Sequence, residues 1–149
     1  MQAQMLAPAA VLVLWSLIVL VWATATRFPA IARLPDKSGL GKPGVRGQNL
    51  EGVLPDRVNW KAHNYSHLME QPTIFYPTVI ILAIMGAGEI DVLIAWIYVA
   101  VRIVHSLWQG LVNRLPVRIL LFSISSIALL ILAIRAVLAT AFHNPGVIA

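Results

Sequence analysis

Apolar residues run along this chain in long blocks and do not alternate with polar ones. The first block covers 1–26 without a charged side chain, long enough to cross a bilayer, which takes about 20 residues. A second over 61–85 is interrupted by Glu70, and a third over 91–113 by Arg102. A fourth over 117–142 carries Arg135 near its far end. In lipid, backbone polar groups must be paired within their own segment, so each block is predicted to be a helix. The pattern predicts an all-α integral membrane protein: one domain over 1–149, with four transmembrane helices (about 4–26, 61–85, 91–113 and 117–142) in an antiparallel bundle and a loop over 27–60. The first block is expected to stay as an anchor and not be cleaved as a signal peptide. No Lys or Arg precedes its apolar run, and that run is longer than a typical signal core of about 7–15 residues.

Composition agrees: 59% of residues are hydrophobic and 11% charged, against roughly 25% charged in soluble domains. An ordinary soluble domain and a disordered chain are both excluded. With no cysteine, the chain has no disulfide, zinc-thiolate site, iron–sulfur cluster or thiol nucleophile of its own.

The charge distribution sets an expected orientation. Arg27, Arg33, Lys37, Lys42, Arg46, Arg57 and Lys61 lie between the first two blocks, and Arg114 and Arg118 between the last two. The other face offers Glu89, Asp91 and a tail with His143. The positive-inside rule then puts both basic loops in the cytoplasm and both termini outside. Those basic residues are expected to contact anionic lipid, not nucleic acid. Gly39-x-Gly41-x-x-Gly44 matches a dinucleotide fingerprint by letters, but no strand pattern precedes it and Pro43 sits inside it. It is expected to be a flexible loop.

Ionisable groups at membrane depth are costly and point to function. His63, His67 and Glu70 follow one another at steps of four and three, and so share a helical face with Asn64 alongside. Arg102, His105, Gln109 and Asn113 repeat the pattern in the third block. At 1.5 Å per residue, Glu70 lies about 15 Å and Arg102 about 18 Å from the same face. The spacing therefore predicts a polar cleft open to the cytoplasm and floored by a Glu70–Arg102 pair. No metal site is expected, because a di-metal bundle needs several carboxylates and this cleft has one. Pro72 and Pro77 are expected to kink the second helix, and Arg135 to snorkel to the headgroups.

The stretch His67-Leu-Met-Glu70-Gln-Pro72-Thr-Ile-Phe75-Tyr76 resembles the second-helix motif of the MAPEG family, membrane-associated proteins in eicosanoid and glutathione metabolism, and more particularly its bacterial members. The stretch from Ala95 through Arg102 and His105 to Ser106, followed by Asn113 and Arg118, resembles that family's third helix and the start of its fourth. The resemblance implies a homotrimer in a bacterial inner membrane, with glutathione as co-substrate bound between subunits. It implies that His63, His67, Glu70, Arg102, His105 and Asn113 line the glutathione site. Arg118 or Arg114 would stabilise the thiolate that attacks a hydrophobic electrophile. His63 and His67 stand where glutathione-using members carry Arg and Asn. An alternative is therefore a non-catalytic subunit of the same fold within a larger membrane complex.

Overall fold

The computed structural model describes residues 1–142; His143 and the rest of 143–149 lie outside the described residues. Helix α1 spans Gln2–Ala32, α2 Asp56–Leu68, α3 Pro72–Ile84, α4 Glu89–Leu111 and α5 Leu115–Ala141, and no strand occurs among the described residues. Three of these, α1, α4 and α5, are long and apolar enough to cross a membrane.

Helix α1 buries Met5, Pro8, Leu12, Ser16, Val19 and Ala23, a narrow seam at steps of three and four residues. Leu14, Leu17, Ile18 and Val21 on its outer side are exposed, as expected where the solvent is hydrocarbon. Helix α4 is patterned the opposite way to a soluble helix. Tyr98, Arg102, His105, Ser106 and Gln109 face inward, while Leu93, Ile97, Val104 and Leu111 face out. Polar groups therefore collect at the centre of the bundle.

The expected continuous helix over 61–85 is divided. Pro72 has no N–H to offer the Leu68 carbonyl, so the helical ladder cannot run through this point. Met69 N–H bonds back to the Ser66 carbonyl (2.9 Å) and Thr73 N–H to that of Glu70 (3.2 Å), closing tighter turns on either side. Pro77 is accommodated inside α3. Helix α3 has 13 residues, about 20 Å at 1.5 Å each, short of a hydrocarbon core of about 30 Å. The expected second crossing over 61–85 is therefore not made by one helix of sufficient length.

Two short turns join the remaining helices. After α3, Gly86 takes a left-handed conformation (φ 86°) and Ala87 N–H reaches the Leu82 carbonyl at 2.9 Å, a Schellman closure. Asp91 then accepts the Gly88 N–H (2.9 Å) and caps α4. At the other end Asn113 is left-handed (φ 56°), which asparagine tolerates better than most residues, and Pro116 lies in the first turn of α5.

Helix α1 packs on α2, α3 and α4; α5 packs on α3 and α4; and α2 crosses to α4. The loop between α1 and α2 carries a short 3₁₀ turn at Gly47–Leu50. Asn59 fixes it by donating from Nδ2 to the carbonyls of Leu50 (3.3 Å) and Leu54 (3.4 Å). The glycines of the fingerprint-like stretch lie in turns of this loop.

Candidate functional site

Arg102 is the largest fully buried side chain among the described residues, at 0% exposure. The break after α2 leaves the His67 carbonyl free of the helical ladder, and Arg102 Nη2 donates to it at 3.0 Å. The same nitrogen lies 3.4 Å from His67 Nδ1, and the guanidinium carbon sits 6.0 Å from the centre of the Phe122 ring. Nε and Nη1 of Arg102 have no partner among the described residues. A hydrogen bond from a charged donor contributes about 1.5–3 kcal/mol and a cation–π contact about 0.5–2. Burying an unpaired ion costs several kcal/mol. The contacts present are of the same order as that cost, and Nε and Nη1 remain as unused cationic donors suited to an anion.

The His67 ring stacks on that of His105, with centroids 5.0 Å apart and planes at 20°. Phe122 of α5 meets His67 edge-on at 5.6 Å. These three residues, with Leu115, Arg118 and Ile119, line a cavity of about 200 Å³ between α2, α4 and α5. Arg118 Nη1 donates to Asn113 Oδ1 at 2.9 Å, so the residue that ends α4 also positions the arginine that begins α5.

The sequence-predicted site residues thus separate into groups. His67, Arg102, His105 and Arg118 come together, and Asn113 supports the last of them. Arg114 is exposed, outside the cavity wall, with its carbonyl accepting the Trp108 indole N–H (3.2 Å). His63 points to the loop, where Nε2 lies 2.9 Å from Glu51 Oε1. The expected Glu70–Arg102 pair does not form. The Glu70 side chain is 67% exposed, and its one ion contact among the described residues is His67 Nε2 at 3.9 Å. Glu70 sits within the break at 69–71, so the helical phase that aligned it with Arg102 is lost there.

Sequence reasoning missed Gln71 and assigned no partner to Asn64 or Arg135. Gln71 enters the bundle from the same break, donating to Ser126 Oγ at 2.7 Å and accepting from the Tyr98 hydroxyl at 3.4 Å. Its position directly before a proline within an apolar block was the available signal. Asn64 is buried and neither amide atom has a partner among the described residues. Arg135 does not snorkel: its Nε and Nη2 bond both carboxylate oxygens of Asp91 across α4 and α5. A larger cavity of about 480 Å³ adjoins that pair at the far end of the bundle. Its charges are already matched, since Asp91 accepts from both Arg135 and Gly88.

No curated protein and no solved structure matches the chain. The family comparison does find a match: the MAPEG family, which comprises glutathione-dependent transferases, peroxidases and related proteins, is matched over residues 5–138, and the chain belongs to it.

Proposed function

We propose that this MAPEG protein is a membrane-embedded, glutathione-dependent transferase or peroxidase acting on hydrophobic electrophiles at the cytoplasmic side. The observation that carries the reading is Arg102, fully buried with Nε and Nη1 unpartnered among the described residues, beside a cavity walled by His67, His105 and Arg118. An anionic, thiol-bearing tripeptide supplies what that cation lacks. The cavity holds about 200 Å³, below the roughly 300–1,000 Å³ of ordinary ligand sites. A second wall is needed, and a neighbouring protomer of a homotrimer with four crossings each would provide it.

The chemistry asked of the chain is modest. A free thiol near neutral pH is mostly protonated, and an adjacent guanidinium favours the nucleophilic thiolate. Arg118 lines the cavity and is held by Asn113, so it is assigned to the sulfur, ahead of the exposed Arg114. Arg102 holds a carboxylate of the tripeptide, and the outward Glu70 is free for its amino group. The electrophile arrives from the bilayer between helices. The protein is placed in a bacterial inner membrane with both termini outside the cytoplasm.

The alternative, a non-catalytic subunit of a larger membrane complex, draws on His63 and His67. The first is engaged by Glu51, and the carbonyl of the second already occupies one nitrogen of Arg102. Glutathione titration of the purified protein by calorimetry, with the ultraviolet absorbance of the thiolate as second readout, separates the two. Wild-type protein is expected to bind and ionise glutathione, Arg102→Met to lose binding, and Arg118→Leu to bind without ionising. A wild-type protein that takes up no glutathione would overturn the enzyme reading in favour of the accessory subunit.

A further inference from the structure

Behind the candidate site runs a second set of buried polar groups that the proposed reaction does not use. Asn64 lies three residues before His67 on α2, and Gln109 four residues after His105 on α4. The helices are antiparallel, so these steps lead the same way. If His67 and His105 form one rung, Asn64 and Gln109 form the next, one turn nearer the basic end of the bundle. Gly110 fixes the position of Asn64: a Cβ built on it would stand 3.5 Å from Asn64 Nδ2 and 2.8 Å from the Trp22 ring. Asn64 therefore lies where α2 and α4 meet Trp22 of α1, and neither it nor Gln109 lines the cavity of Phe122 and Arg118 on the α5 side.

Both amide atoms of Asn64 and Oε1 of Gln109 are buried without a partner among the described residues, like Nε and Nη1 of Arg102 one rung beyond the histidines. Buried amides in folded proteins are nearly always hydrogen-bonded, to protein or to ordered water. Here the groups are polar and lie on α2 and α4, which pack on each other, and internal water is held where buried polar groups of this kind converge.

We propose that Asn64 and Gln109 hold a water-bearing seam between α2 and α4, through which the proton of the bound thiol leaves for the aqueous phase. The inference rests on the glutathione reading above. In the step, the S–H bond breaks and the electron pair stays on sulfur as the thiolate. The proton passes to seam water and is released to bulk, so no further reactant is required. The thiol can then be closed off from solvent on the subunit-facing side while its proton departs at the back. Asn64 and Gln109 are positioning residues: they orient water and touch neither sulfur nor electrophile.

The test uses the full-length protein in nanodiscs. In stopped flow, wild type should form thiolate at least tenfold faster than Asn64→Leu/Gln109→Leu. Equilibrium affinity for glutathione should stay within about twofold, and Asn64→Ser and Gln109→Asn should recover most of the rate. Equal ionisation rates in wild type and the double leucine variant overturn the path while leaving glutathione binding intact. Absence of glutathione binding in wild type overturns the enzyme reading and the proton role with it. Water contacts to the side-chain amide protons of selectively labelled Asn64 and Gln109 in wild type, read by water-edited solid-state NMR in lipid, decide hydration whether or not the variants fold. Cross-peaks to water are expected, and their absence would refute the seam.

Discussion

Arg102 and Glu70 show how much one residue between them can decide. Both carry charge at similar nominal depth, yet Pro72 ends the ladder of α2 and Glu70 turns outward, while Arg102 takes the carbonyl that the break exposes. The pair should therefore be energetically independent. In a double-mutant cycle on thermal or denaturant stability, Glu70→Gln and Arg102→Met are expected to couple by less than about 0.5 kcal/mol, as non-contacting sites do. Glu70→Gln alone should leave stability within about 0.5 kcal/mol while weakening glutathione binding. A coupling of several kcal/mol would show that the two are paired in the membrane. His67, His105 and Arg102 were legible from their spacing because α2 and α4 are regular where these residues sit. Glu70 was misplaced because spacing arguments assume an unbroken helix, and Phe122 gave no signal at all, being one apolar residue among many in α5.

At the scale of elements, close approach of helices is decided by small residues and by ties between distant positions. Gly110 lets Trp22 of α1 lie against α4, and an added methyl would meet the indole ring at 2.8 Å. Elsewhere in a helix Gly→Ala gains up to about 1 kcal/mol in backbone terms. Here overpacking costs about 1–3 kcal/mol against a rigid ring, so Gly110→Ala is expected to lower the melting temperature; a rise would mean that α1 shifts freely. At the opposite end Asp91 is buried (4% exposed) and Arg135 partly so (41%). Removing one partner of a buried pair costs about 3–5 kcal/mol. The exposure of Arg135 puts the expected loss for Arg135→Leu below that range, at about 1–3 kcal/mol. Asp91→Asn/Arg135→Leu should recover much of it in the same thermal assay, because asparagine still accepts the capping N–H of Gly88. This tie was invisible in the sequence. Its members are 44 positions apart, and an arginine near the end of an apolar helix looks the same whether it snorkels or pairs.

For the whole molecule, the distribution of apolar and basic surface governs how it sits. Exposed leucine, isoleucine and valine cover α1, α4 and α5, more contiguous apolar surface than a soluble monomer tolerates, and lipid is the means of covering it. The ends of the bundle differ in charge. Seven basic residues fall between Arg27 and Lys61, and Arg114 and Arg118 join them at the turn between α4 and α5. The other end has the turn between α3 and α4 with Glu89 and the capped Asp91. Cytoplasmic loops collect Lys and Arg, so the loop with Ser38 is expected inside and the start of α1 outside. The chain contains no cysteine, so Gln2→Cys and Ser38→Cys each give a single reporter without background. In intact cells an impermeant maleimide should label the first, and the second only after the membrane is permeabilised. Labelling of both from the same side would mean that α1 does not cross, and labelling of Ser38→Cys alone would reverse the orientation. Reversal would also move the cavity of His67, His105 and Arg118 to the face away from cytoplasmic glutathione, so this measurement bears on the proposed chemistry as directly as on the topology.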